Sequence, residues 1–168
     1  MNLQLSHEET PSLVAKQEVI VNASLITSPA NLGSVFRIAE AFGVKEIYLL
    51  ENQQDLIESN RFKRVSRSTE KQITVTYLKT LEDCFLNKSK VHFTPIGIEL
   101  TDSAIPIHHY NNHSSVQLFV GNERTGIPNQ IIHYLSETYY IPMYGKNSSI
   151  NVAQSLGIAL FQIRALEI

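Results

Sequence analysis

The stretch Phe119-Val120-Gly121-Asn122-Glu123-Arg124-Thr125-Gly126-Ile127-Pro128 decides the class of fold. Residues 116–120 form a short apolar run of strand type, and Gly121 stops it. Polar residues follow, then a second glycine, and Pro128 suits the first turn of a helix. A strand, a loop and a helix in that order is half of a βαβ unit. The two glycines superficially resemble a phosphate loop, but Ile127 and Pro128 stand where a lysine and a serine or threonine are required, which excludes nucleoside-triphosphate hydrolysis. Glu123, just past a strand end, is a candidate functional carboxylate.

The same alternation runs outward in both directions. Residues 19–26 are β-prone, and Ser28-Pro29 then signals a helix start, with serine capping free amides and proline in the first turn. Val35, Ala39 and Phe42 recur at helical spacing, and Gly43 is a natural stop. Residues 46–50, 73–77, 92–98 and 139–143 read as further strands, and 81–86 and 128–135 as helices. A last helix is expected over about residues 151–166; its apolar positions lie almost all round, so it should be covered on more than one side, by the sheet and by a second subunit. Alternating strands and helices predict an α/β domain with a mainly parallel sheet, whose ligands collect at the carboxyl ends of the strands. Residues 1–18 read as an N-terminal arm or short helix with a capping box from Ser6 to Glu9, and 19–168 as one domain.

The composition is that of an ordinary globular chain: 168 residues, 43% hydrophobic and 18% charged. No apolar run reaches the roughly 20 residues needed to span a bilayer, and the first residues lack the apolar centre of a signal peptide. A single cysteine, Cys84, allows no intrachain disulfide, which makes the cytoplasm the expected compartment. Net charge is −2, yet Arg61, Lys63, Arg64, Arg67 and Lys71 fall close together beside one acid, Glu70. Two readings stand for that cluster: a solvated surface loop, or a patch that meets the phosphates of a nucleic acid.

Two other segments hold candidate chemistry. In Asn31-Leu32-Gly33-Ser34-Val35-Phe36-Arg37, Gly33 and Arg37 share a helix face, and the missing side chain at Gly33 leaves room for a backbone or a ribose beneath the guanidinium. Asn31 falls in the first helical turn, near free amides. An ordinary amphipathic helix with one exposed arginine accounts for the same residues. In Ile141-Pro142-Met143-Tyr144-Gly145-Lys146-Asn147-Ser148-Ser149-Ile150-Asn151-Val152-Ala153, an apolar strand end gives way to a Gly/Asn/Ser loop that opens a helix. Such loop amides suit a carboxylate or ribose, while Ser149 or Asn151 also serves as a plain helix cap.

Taken together and in order, the three segments resemble the SpoU/TrmH branch of the SPOUT superfamily of RNA methyltransferases. The first is similar to its asparagine-x-glycine-x3-arginine motif, the second to its glycine-x-glutamate-x2-glycine motif, and the third to its isoleucine-proline-methionine and serine-x-asparagine motif. The resemblance covers roughly residues 19–168. It implies a parallel α/β sheet with helices on both faces and a C-terminal trefoil knot, a feature that pattern reasoning never proposes by itself. It further implies a bent S-adenosylmethionine held largely by backbone at Gly121, Ile141 and Ile150, with Met143, Ser149 and Ile98 nearby. The implied reaction is displacement at the sulfonium methyl by a ribose 2′-oxygen of tRNA or rRNA. Arg37 would activate the 2′-hydroxyl, Asn31 and Glu123 would orient Arg37 and the ribose, and Ser149 and Asn151 would complete the site. A guanidinium rarely loses its proton in a protein, so Arg37 stands as either a base or a stabiliser of alkoxide charge. The resemblance also implies a homodimer with the site near the subunit interface. With only residues 1–18 ahead of the first strand, RNA recognition is expected from the catalytic domain, its arm, the basic cluster or the partner.

Two other functions compete. A non-catalytic RNA-binding protein on the same fold would not need Asn31, Arg37, Glu123, Ser149 and Asn151 together. A metal-dependent hydrolase would draw on His108, His109 and His113, but Pro106 and Asn111-Asn112 mark a loop there and no acid adjoins it, so no metal is expected. Tyr139, Tyr140 and His92 read as core or interface residues, and Cys84 as simply buried.

Overall fold

The computed structural model describes residues 13–86 and 92–167. The capping box proposed from Ser6 to Glu9 lies outside them. Seven strands form one sheet: β1 (Val19–Asn22), β2 (Glu46–Leu50), β3 (Thr74–Leu78), β4 (Thr94–Ile98), β5 (Ile105–Pro106), β6 (Val116–Val120) and β7 (Glu137–Tyr140). Their order is β3-β2-β1-β6-β4-β7-β5, and every neighbouring pair is parallel. The helices are α1 (Pro29–Ala41), α2 (Gln54–Glu58), α3 (Asn60–Ser66), α4 (Asp83–Leu86), α5 (Asn129–Ile132) and α6 (Val152–Ala165).

Both faces of the sheet are covered, as a parallel sheet requires. Side chains alternate along each strand. Val19, Val21, Ile47, Leu49, Leu118 and Val120 join Val35 and Phe36 of α1 and Leu156 and Leu160 of α6 in one apolar cluster. Ile20, Tyr48 and Phe119 point to the opposite side, where Cys84 of α4 and Ile131 of α5 meet them. Three strands that neighbour one another, β1, β6 and β4, end together near Asn22, Val120 and Ile98. Their carboxyl ends make the floor on which the site is built.

Local signals set α1 at both ends. Ser28 accepts a hydrogen bond from the Asn31 amide at 3.4 Å, and Pro29 opens the helix. At the other end Gly43 has φ of 71°, with Gly43 N–H donating to Glu40 O and Val44 N–H to Ala39 O, each at 2.9 Å. This left-handed glycine turn satisfies carbonyls that the helix would otherwise leave free.

Several boundaries move for physical reasons. β1 stops at Asn22 rather than 26, because the Asn22 side-chain oxygen accepts from the Ser24 amide at 3.2 Å and bends the chain. The α5 helix is a single turn, shorter than residues 128–135 suggest, and β7 begins two residues before the expected 139. Pro142 has no N–H for a ladder, and the chain leaves the sheet before it. The two-residue β5 and the short α2 have no sequence signal of their own.

The cluster of basic residues is not a loop. Arg61, Lys63 and Arg64 lie on α3, which Ser59 caps by accepting from the Phe62 amide at 3.2 Å. Arg67 and Ser68 close that helix with left-handed φ values of 51° and 66°. Only Phe62 and Val65 are apolar in this helix, too few for a periodic signal. Packing on α1 makes it a helix: Phe36 and Phe62, both buried, meet edge to face with ring centroids 5.2 Å apart, a geometry that contributes about 0.5–1.5 kcal/mol beyond burial.

Gly33 permits that packing. A Cβ there would lie 2.9 Å from Phe62 O and 3.0 Å from Val65 Cβ. The room left by the missing side chain is therefore filled by the backbone of α3, so that of the two expected occupants, a backbone or a ribose, it is a backbone that takes it.

Candidate active site

A cavity of about 770 Å³ opens at the carboxyl ends of β6, β4 and β7. That lies within the range of about 300–1,000 Å³ typical of small-molecule sites. Ile98, Val120, Ile141, Ile150 and Met143 give it apolar walls, while Gly121, Asn122, Glu123, Ser149 and Asn151 bring polar loops. All six residues expected to hold a cofactor (Ile98, Gly121, Ile141, Met143, Ser149 and Ile150) line it.

The loop after β6 is tightly tied. Asn122 and Gly126 exchange both backbone hydrogen bonds at 3.0 Å. The Asn122 side chain donates to Leu25 O at 3.0 Å and accepts from the amides of Arg124 and Thr125 at 2.9 and 3.2 Å. Glu123 is thereby held over the amino end of α1. Its carboxylate accepts from Thr27 N–H at 3.4 Å, Thr27 Oγ1–H at 3.2 Å, Ser28 N–H at 3.3 Å and the Asn31 side-chain amide at 3.0 Å. Partial burial pushes the Glu123 carboxyl up, but the hydrogen bonds from Asn31 and the backbone outweigh it, and the net shift is downward. The charged form thus persists to lower pH than in an ordinary glutamate, and it faces the positive end of the helix dipole.

Asn31 passes the connection on. Its side-chain oxygen accepts from the Asn151 amide nitrogen at 2.9 Å, and the Asn151 oxygen in turn accepts from Ala153 N–H at 2.9 Å to cap α6. Three segments far apart in sequence are joined as Glu123–Asn31–Asn151 at the cavity's mouth. Between the two readings of the Gly/Asn/Ser loop there is no conflict: Asn151 is a helix cap and a wall of the cavity at once.

Arg37 stands apart. It is exposed on α1 and is absent from the lining of the cavity. Arg61, Lys63, Arg64, Arg67 and Lys71 are also exposed and outside it. Sequence reasoning missed Glu99, Asn122 and Tyr140, all of which line the cavity. Tyr139, by contrast, is buried as expected. For Glu99 the only available signal was its place directly after a strand.

His108 and His109 sit in one 3₁₀ turn and His113 in irregular chain, all three exposed. Among the described residues no group of three or more His, Cys, Asp or Glu side chains is placed to hold a metal ion. No helix among them is long and apolar enough to cross a membrane.

Known proteins share this architecture. The chain is 28% identical over 165 residues to a tRNA (guanosine(18)-2′-O)-methyltransferase of Mus musculus, matching 96% of this chain and 10% of that protein. It is 29% identical over 150 residues to a 23S rRNA (guanosine-2′-O-)-methyltransferase of Acinetobacter baylyi, matching 87% of this chain and 59% of that one. The fold superposes with a TM-score of 0.81 and 24% identity on the AdoMet-bound rRNA methyltransferase from Sinorhizobium meliloti, over 90% of this chain and 57% of that chain. The chain thus spans from about a tenth to under two thirds of these relatives. The model of the SpoU rRNA Methylase family matches residues 18–161, nearly the whole sequence, and the chain belongs to that family.

Proposed function

We propose that this chain transfers a methyl group from S-adenosylmethionine to a ribose 2′-hydroxyl of tRNA or rRNA. The observation that carries the reading is the Glu123–Asn31–Asn151 relay at the mouth of the cavity, which joins the three motif segments. The cavity suits the cofactor: Ile98, Val120, Ile141 and Ile150 offer an apolar bed for an adenine, and the loops at Gly121 and Ser149 bring polar groups for a ribose and an amino acid moiety. When bound, S-adenosylmethionine supplies an electrophilic methyl on a sulfonium. The protein's part is alignment and charge. Glu123, fixed in its ionised state, and Asn31 orient the 2′-hydroxyl. Ser149 and Asn151 close the site, and Arg37 stabilises the developing alkoxide or takes part in removing its proton.

The finer features of the family belong to the same proposal. β7 follows both β4 and β5 in the chain yet lies between them in the sheet, an insertion that supports a threaded, knotted C-terminal region. A homodimer is supported by α6, where Gln154, Ile158, Phe161 and Ala165 form one exposed stripe and Phe161 is 64% exposed. In that dimer Arg37, outside its own cavity, reaches the site of the other subunit. The cytoplasm is the proposed compartment, since the RNA substrates are there.

The deciding experiment incubates the protein with methyl-labelled S-adenosylmethionine and total cellular RNA, then maps the label. Methyl on a ribose 2′-oxygen is the expected result. Label on a base or on protein overturns the reaction, and a protein without affinity for S-adenosylmethionine is not a working enzyme of this kind, which leaves the non-catalytic RNA-binding reading.

The basic face of α3 is proposed to hold the RNA backbone. Arg61, Lys63, Arg64 and Arg67 are exposed, and among the described residues none forms an ion pair. Neutralising all four should weaken RNA binding and lower the slope of log K against log salt by up to about 3–4 units. An unchanged slope in a filter-binding titration would leave α3 as a solvated face.

A further inference from the structure

We infer that Glu99 is a positioning residue of the site: its carboxylate fixes the loop of residues 121–127 in the shape that offers backbone to the cofactor and Glu123 to Asn31. The inference rests on the reading of the cavity as the S-adenosylmethionine site.

Glu99 directly follows β4, and its own N–H still donates to Tyr139 O at 2.9 Å, so its backbone is anchored in the sheet. From that anchor the two carboxylate oxygens reach different donors. Oε1 accepts from Leu100 N–H at 3.0 Å, and Oε2 accepts from Ile127 N–H at 2.8 Å. Ile127 is buried, so its amide depends on a protein partner.

The fit is steric as well as polar. Gly126 has φ of 66°, and a Cβ there would overlap Glu99 Oε2 and lie 3.0 Å from Cδ. The carboxylate occupies the space that any side chain at position 126 would need. On the far side of the loop, a Cβ at Gly121 would come within 2.8–2.9 Å of the Gly126 backbone. Gly121, Gly126 and the Glu99 carboxylate therefore stack in three layers, with the Asn122–Gly126 bridge between them and Glu123 at the tip. Glu99 also lines the cavity itself. A glutamine in its place keeps the volume, but its NH₂ faces one of the two N–H donors.

The test is a cycle on the full chain, with S-adenosylmethionine affinity read by calorimetry and KM and kcat read separately. In E99Q the KM and Kd for S-adenosylmethionine should rise about tenfold or more, the effect of one lost charge-assisted hydrogen bond. A purely structural role would lower the active fraction, and hence kcat, without moving KM. G126A should weaken cofactor binding in the wild-type background and do so less in the E99A background, where the overlap is gone; the two effects are then non-additive. Thermal melts of each variant establish that folded protein is being compared. Wild-type binding matched by equal binding in E99Q, or strict additivity of E99A and G126A, overturns the role of Glu99 alone. Failure of the wild-type protein to bind S-adenosylmethionine instead overturns the reading of the cavity, and Glu99's role with it.

Discussion

Exchanging Arg37 for alanine is expected to lower kcat by roughly 100-fold or more, the scale on which a single charge-stabilising group contributes to a transition state, with cofactor affinity unchanged. The second half rests on the place of Arg37 outside the lining of its own subunit's cavity and on its proposed action on the 2′-hydroxyl rather than on the cofactor. Single-turnover methyl transfer alongside a cofactor titration measures both halves. Activity near that of the wild type removes Arg37 from the chemistry, and a large loss of cofactor affinity places it in the binding site. Mixed dimers then locate its action. When Arg37→Ala chains are combined with Ser149→Ala chains, a site with Arg37 acting from across the interface contains one fully intact pair, and activity returns. Mixed dimers that remain inactive would place Arg37 in its own subunit's site.

Gly33→Leu should destabilise the fold by about 1–3 kcal/mol, the usual cost of forcing a side chain into a filled core. For a chain of this size each kcal/mol lowers Tm by about 2–4 °C. The neighbours at this position are the Phe62 carbonyl, Val65 Cβ and the Ser66 amide, two of them backbone, so they cannot swing aside. Cofactor affinity measured well below Tm should be retained. A variant with unchanged Tm that fails to methylate RNA would give the glycine back to the substrate.

These two residues also show how far the sequence could be read. Their presence and spacing in a helix follow from Ser28, Pro29 and Gly43, which mark the ends of α1 through local chemistry alone. The use made of Gly33 does not follow, because it depends on α3, whose two apolar residues give no periodic signal. The relay from Glu123 through Asn31 to Asn151 joins positions 92 and 120 residues apart. Each was legible as a candidate, but no local rule says that they touch. Glu99 was illegible for a related reason: its partner is the backbone amide of Ile127, and a backbone amide has no letter in the sequence.

The order of strands has a consequence for how the chain assembles. β6 fills a gap between β1 and β4, and β7 a gap between β4 and β5, although each follows its neighbours in sequence. Until residues 116–140, which carry β6 and β7, are made, the middle of the sheet is an open slot with unpaired edges on both sides, the kind of surface that invites aggregation. Such long-range pairing slows folding, since loops must close before contacts reward them. A nascent chain of this protein is therefore exposed for longest at the centre of its sheet, where the cavity will later form.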